Sequence, residues 1–148
     1  MLKRIEPTHY LTFNFYDDYS MVSAEEKMNK WYADIHHRLL GAHPNKLPEN
    51  RLMPMVGLPE YTLSRHIHYH VVARITADRQ DWFLRAAPKR WKAIVKTGEL
   101  HITRFDGTVT GLETAAVYST KCSSHVEWYI PAGYRGSAFE ARLGRTRH

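Results

Sequence analysis

The alternation of apolar and polar residues along the chain predicts four β-strands and two helices in the order β-α-β-β-α-β. Strands are indicated where β-branched and aromatic residues alternate with polar ones, and helices where apolar residues recur every three or four positions. The predicted strands cover 8–16, 51–58, 63–75 and 99–105, the predicted helices cover 23–41 and 78–98, and a third helix from about 112 and a last strand at 125–131 follow. This order predicts an α+β fold of the ferredoxin-like (RRM-like) type, with an antiparallel central sheet and flanking helices.

Local signals place the ends of these elements. Ser23 is the predicted N-cap of the first helix, because Glu26 follows it at capping-box spacing, and Gly41 is the predicted end of that helix. Pro54 lacks a backbone donor, so the strand that contains it is predicted at an edge of the sheet. Pro88 is predicted either to kink the second helix or to open a new one.

Length and composition favour a small domain in a reducing compartment. We expect residues 1–136 to form one domain and 137–148 a basic tail, with enough apolar residues (43%) for a core. The single cysteine, Cys122, excludes an internal disulfide and a zinc knuckle. Neither a secretory signal nor a run of about 18 apolar residues is evident. These features predict a cytoplasmic protein that does not enter a membrane.

The charge balance favours an acidic partner. The chain has 21 Lys and Arg against 15 Asp and Glu, a net charge of +6, together with 4 Trp, 9 Tyr and 5 Phe. Cations combined with aromatic rings suit single-stranded nucleic acid, whose phosphates pair with the former and whose bases stack on the latter. Many proteins of this charge nevertheless bind no polyanion. The candidate DNA contacts are Arg65, His66, Arg74, Lys89, Arg90, Trp91 and Lys92.

The stretch "SRHIHYHVVARI" (64–75) carries the strongest chemical signal. On a strand, His66, His68 and His70 point to the same face, so two of the imidazoles can bind one cation. The pattern "HIHYHVV" also matches the signature of histidine-triad nucleotide hydrolases, in which His68 would be the nucleophile. The pairs His66/His68 and His68/His70 both remain open as metal ligands.

Two features upstream accompany the pair His68 and His70. A leading strand contains "YLTFNF" (10–15), and Glu60 precedes His68 by eight residues. A carboxylate beside two imidazoles is a ligand set for Mg²⁺ or Mn²⁺, because both ions favour oxygen ligands and two histidines favour Mn²⁺ of the two. Glu60 is therefore the candidate third ligand.

A third feature lies downstream, where "AAVYSTK" places Tyr118 three residues before Lys121. In this order the three features resemble the motifs of the HUH endonuclease superfamily, in particular its rolling-circle replication initiators (Rep class) with one catalytic tyrosine. The resemblance covers about residues 8–121. It implies that Tyr118 and Lys121 are catalytic and that His68, His70 and Glu60 hold Mn²⁺ or Mg²⁺.

The resemblance also implies a reaction and its partners. Such enzymes nick and rejoin single-stranded DNA at an origin or hairpin through a 5′-phosphotyrosine, and an initiator without its own helicase uses one from the host. A transposase or mobilisation nuclease of the same chemistry is an alternative function. A histidine-triad hydrolase and a nucleic-acid-binding module without catalytic activity are two others. Only the nuclease accounts for the histidines, the tyrosine and the basic charge together.

Overall fold

The computed structural model describes residues 6–61, 66–105 and 129–132. Its strands and helices are β1 (His9–Asn14), α1 (Met21–Leu40), β2 (Met55–Tyr61), β3 (Ile67–Ala73), α2 (Gln80–Ile94) and β4 (Glu99–Arg104). The four strands form one sheet in the order β2-β3-β1-β4, and every neighbouring pair is antiparallel. β1 and β2 are therefore parallel to each other with β3 between them, which is the split βαβ arrangement. The predicted α+β, ferredoxin-like fold is confirmed.

The helix ends differ in detail from the prediction. The N-cap of α1 is Ser20, not Ser23, because the Ser20 hydroxyl accepts a hydrogen bond from the Ser23 backbone N–H at 3.1 Å. Gly41 ends α1 as predicted, in the left-handed conformation with φ of 76°. α2 runs without interruption through Pro88, so this proline does not open a new helix.

Both helices pack on one face of the sheet, which we call the helix-covered face. Phe13 of β1 meets Trp31 of α1 and Trp91 of α2 edge-on, with ring centroids 4.9 and 4.8 Å apart. The indole N–H of Trp31 donates to the Ala87 carbonyl at 3.0 Å and joins the two helices. These aromatic side chains are fully buried, and edge-to-face contacts of this kind stabilise a core beyond simple burial.

The strand around Pro54 lies at one end of this four-stranded order, as predicted, but it begins one residue after the proline. Tyr129 pairs with Gly57 of β2 in an isolated antiparallel bridge, through backbone hydrogen bonds of 3.0 and 2.8 Å. The predicted last strand thus contributes at least this bridge. The predicted helix from Leu112 and the tail 137–148 lie outside the described residues. None of the described helices is long and apolar enough to cross a membrane.

Candidate functional site

The second face of the sheet, which we call the histidine face, carries polar side chains in rows across the strands. The antiparallel register places Glu60 of β2, His68 of β3 and Asn14 of β1 directly opposite one another. The neighbouring row contains Leu58, His70 and Thr12. Because alternate residues of a strand share a face, both rows point away from the aromatic core. Glu99 and His101 of β4 extend the two rows.

Two short hydrogen bonds organise these rows. Nδ1 of His68 lies 2.5 Å from Oδ1 of Asn14, and Nε2 of His70 lies 2.5 Å from Oε2 of Glu60. Since the Asn14 oxygen is an acceptor, the proton of His68 is on Nδ1 and its Nε2 carries the lone pair. A histidine held in this way by its second nitrogen has the orientation and tautomer of a typical metal ligand.

The two imidazoles are held side by side. The ring centroids of His68 and His70 are 6.1 Å apart, and their planes differ by 21°. Tyr10 stacks on His70 from β1, with centroids 5.8 Å apart. The side chain of His70 is only 17% exposed, whereas that of Glu60 is 39% exposed. Contacts from both neighbouring strands thus restrict the rings, while the carboxylate at the rim stays accessible to solvent.

The electrostatics of the site favour a neutral His68. Burial lowers the pKa of His68 below its ordinary value, the nearby His70 lowers it further, and the carboxylate of Glu60 acts in the opposite direction. The charge of His66 also lowers the pKa of His68, as the smallest of these effects. His66 therefore lies near His68, although it precedes β3. An imidazole has to be neutral to donate a lone pair to a metal ion, so this shift suits a ligand at neutral pH.

The donor set of Glu60, His68 and His70 fits a divalent cation in its chemistry. Two imidazoles and one carboxylate are the ligands of facial metal sites that leave positions open for a substrate. Within the part of the chain that the structure describes, no three His, Cys, Asp or Glu side chains already converge on an ion position. Nε2 of His70 and Oε2 of Glu60 are hydrogen-bonded to each other. A metal ion bound by both residues would therefore have to replace this hydrogen bond.

The structure separates most of the predicted DNA contacts from the histidine face. Trp91 is fully buried in the core, and its N–H points to the Asn14 carbonyl at 3.4 Å, so the prediction that Trp91 stacks a base is wrong. Arg90 pairs with Asp34 at 2.6 Å between α2 and α1. Lys89 and Lys92 are on the same helix, and α2 packs on the opposite face of the sheet. We therefore do not assign these α2 residues to the histidine site.

The remaining predicted residues fall into two groups. His66 lies at the start of β3 near His68, and Arg74 follows the far end of that strand, where it pairs with Glu6 at 3.2 Å. Arg65, Tyr118 and Lys121 lie outside the described residues, so their positions relative to the histidines stay predictions.

Asn14 is the site residue that the sequence reasoning missed. It ends β1, "HYLTFN", in which residues 10–13 are all aromatic, aliphatic or β-branched. Asparagine is depleted in strands, so an asparagine at an alternate position to Thr12 and Tyr10 was a usable signal. Its partner on β3 is evident only from the register, which sequence periodicity alone does not supply.

Comparison with known proteins supports the fold. No protein-family model matches the sequence, and no curated protein matches it either. The crystal structure of the hypothetical protein ORF119 from Sulfolobus islandicus rod-shaped virus 1 is similar, with a TM-score of 0.52 and 13% sequence identity. The similarity covers 84% of this chain and 90% of that chain. At this identity the likeness shows a shared α+β architecture.

Proposed function

We propose that the protein is a metal-dependent endonuclease that nicks and rejoins single-stranded DNA, of the HUH type suggested by its sequence motifs. The observation that carries the proposal is the placement of Glu60, His68 and His70 in adjacent rows of one sheet face, with the ring of His68 fixed by Asn14. A purely structural role does not account for this arrangement. Polar side chains that only faced solvent would not need an anchoring amide and a stacked tyrosine.

The chain's own residues divide the chemistry between them. Glu60, His68 and His70 would hold Mn²⁺ or Mg²⁺, which when bound polarises a phosphate and offsets the charge that develops on it. Asn14 keeps the lone pair of His68 directed away from β1. Tyr10 holds the ring of His70 in place by stacking. These contacts prepare the ligands in advance, which limits the reorganisation needed when substrate binds.

The proposed covalent step uses Tyr118. Its phenol gives up a proton to solvent and its oxygen forms a bond to phosphorus, while the bond between phosphorus and the 3′-oxygen breaks. The 3′-oxygen takes up a proton from solvent and leaves as a hydroxyl. The product is a 5′-phosphotyrosine, which conserves the bond energy, so attack by a 3′-hydroxyl reverses the step and rejoins DNA. Lys121 is three residues further along the predicted helix, and its ammonium would stabilise the phenolate or the phosphate.

The test is a covalent-adduct assay. The protein is incubated with a library of single-stranded oligonucleotides and Mn²⁺, then separated on a denaturing gel. We expect a slower band that depends on Mn²⁺, disappears with chelator and is lost in Tyr118→Phe. The matched control is Tyr61→Phe, a tyrosine that is 55% exposed at the end of β2, and it should keep the band.

The histidines provide a second set of variants. His68→Ala and His70→Ala should lose the adduct, whereas His43→Ala, an exposed histidine beyond the end of α1, should retain it. Absence of an adduct across the library with Mn²⁺ and Mg²⁺ contradicts the proposal. Hydrolysis of a nucleoside phosphoramidate that needs His68 but neither metal nor Tyr118 would instead support the histidine-triad alternative.

A further inference from the structure

A cleft of about 270 Å³ lies beyond the C-terminal end of β3. Its apolar wall is formed by Leu39 at the end of α1, Phe83 in α2, and Leu52 and Met53 before β2. Arg74, also on its lining, follows β3 by one residue. Arg74 follows His70 by four positions of extended chain, which corresponds to about 13 Å. The cleft is therefore distinct from the histidine face.

Three arginines line this cleft: Arg51, Arg74 and Arg79. Two carboxylates approach them at the surface, since Glu6 lies 3.2 Å from Arg74 and Asp78 lies 4.0 Å from Arg79. The three arginines outnumber the two carboxylates, so this group of side chains has a net positive charge. Arginine guanidinium groups present planar, paired donors that match the oxygens of a phosphate. A concave apolar wall beside such donors suits a ligand with one flat apolar part and one anionic part.

We propose that this cleft binds a nucleoside phosphate, with the base against Leu52, Met53 and Phe83 and the phosphate on the arginines. The volume is close to the lower end of the range for ligand pockets, about 300 Å³, so it fits one nucleotide better than a dinucleotide cofactor. The ligand is either a free nucleotide or one nucleotide of a DNA strand, because both present the same chemistry. The inference goes beyond the proposed nicking reaction and does not depend on it.

The carboxylate of Glu6 would compete with the phosphate of the ligand for the guanidinium of Arg74. It is exposed, and it pairs with the guanidinium of Arg74, the group that we propose pairs with the phosphate. Removing its charge should therefore strengthen binding. A gain of affinity is informative because loss of folding cannot produce it.

Titration calorimetry of the whole chain in chelator, with deoxyadenosine monophosphate as the probe, tests the proposal. We expect saturable binding of the nucleotide and at least tenfold weaker binding of deoxyadenosine and of inorganic phosphate. Arg74→Gln and Arg79→Gln should each weaken nucleotide binding at least tenfold, and Glu6→Gln should strengthen it. The matched control is Arg85→Gln on α2, which removes the same charge away from the cleft and should change affinity less than twofold.

Two further arms complete the design. A short oligodeoxyadenylate that competes with the mononucleotide identifies a DNA strand as the source of the ligand, and failure to compete identifies a free nucleotide. Circular dichroism melting of each variant confirms that it is folded. The proposal is overturned if no saturable binding occurs, if deoxyadenosine binds as tightly as its phosphate, or if Arg85→Gln weakens binding as much as Arg74→Gln. Because no metal is present, these results are independent of the nicking assay.

Discussion

The two faces of the sheet are built from the same strands and differ in the residues that they carry. On the helix-covered face, Phe13 and Tyr69 face each other across β1 and β3, and both are fully buried. At the adjacent pair of the register, Asn14 and His68 face each other on the histidine face and form a polar contact. The comparison indicates that stability depends chiefly on the first face, which leaves the second free to carry chemistry. Each prediction below tests this division.

The largest effect is expected from Trp91→Ala on the helix-covered face. Trp91 is fully buried and meets both Phe13 and Phe15 edge-on. Removal of a buried aromatic side chain of this size typically lowers the free energy of unfolding by about 3–5 kcal/mol. Urea denaturation followed by circular dichroism measures the change. Trp82→Ala, at a partly buried position of the same helix, is the control and should cost about 1 kcal/mol.

The opposite result is expected on the histidine face. His68→Ala should change the free energy of unfolding by about 1 kcal/mol or less, because His68 is only partly buried. The same variant should abolish the proposed covalent adduct. If His68→Ala instead unfolded the protein as strongly as Trp91→Ala, the two faces would not divide stability from chemistry.

A smaller effect than that of Trp91→Ala is expected where the two faces are physically connected, at Gly57→Ala in β2. An added Cβ would lie 2.5 Å from Cγ2 of Val71 and 2.8 Å from the His70 carbonyl oxygen. Overpacking of this kind costs about 1–3 kcal/mol, and the resulting shift of β2 should also displace Glu60 from His70. Urea denaturation and Mn²⁺ titration measure the two effects. In the double variant with Val71→Ala, the total loss should be smaller than the sum of the single losses.

Asn14→Leu tests the support of His68 without removing a proposed ligand. The substitution removes the acceptor for Nδ1 of His68. Loss of such a partner typically weakens metal binding 10–100-fold. Mn²⁺ binding followed by electron paramagnetic resonance provides a readout that does not require catalysis. Asn14→Asp keeps an oxygen acceptor and should restore most of the affinity. Equal affinity in Asn14→Leu and the wild type would show that this contact does not orient the histidine.

A pH-dependent effect is expected from His36, a buried histidine of α1. Its Nδ1–H donates to the Tyr32 carbonyl at 2.8 Å, and its Nε2 accepts from the Met53 N–H at 3.0 Å. Burial lowers the pKa of His36 below its ordinary value. The unfolded chain therefore binds the proton first, and stability present above about pH 6.5 is lost as the pH falls below it, by at most about 1.4 kcal/mol per pH unit.

Urea denaturation at a series of pH values measures this loss. His36→Gln should reduce the slope of stability against pH, whereas His37→Gln, at the exposed neighbouring position, should leave it unchanged. His9 and His68, whose pKa values are also lowered by burial, contribute to the same slope. An identical slope in His36→Gln would exclude His36 as a source of acid sensitivity.

Sequence periodicity was sufficient for the fold and only partly sufficient for the site. The order of strands and helices was predicted because alternation and helical spacing are local properties that each segment shows by itself. The N-cap was placed three residues late because Ser20 and Ser23 are chemically equivalent, and only the backbone geometry distinguishes them. The position of Trp91 was misjudged for a different reason, since composition does not indicate which face of a helix is buried.

The sequence by itself determined that His68 and His70 share one face of a strand and that Tyr69 between them has the opposite orientation, because the two-residue period of a strand is a local property. Only the tertiary structure decided that Asn14 meets His68 and that Glu60 meets His70. Those contacts depend on strand register, and a slip of one residue would bring each side chain to the other face. The register is fixed by burial of the aromatic core, which involves residues far apart in the chain.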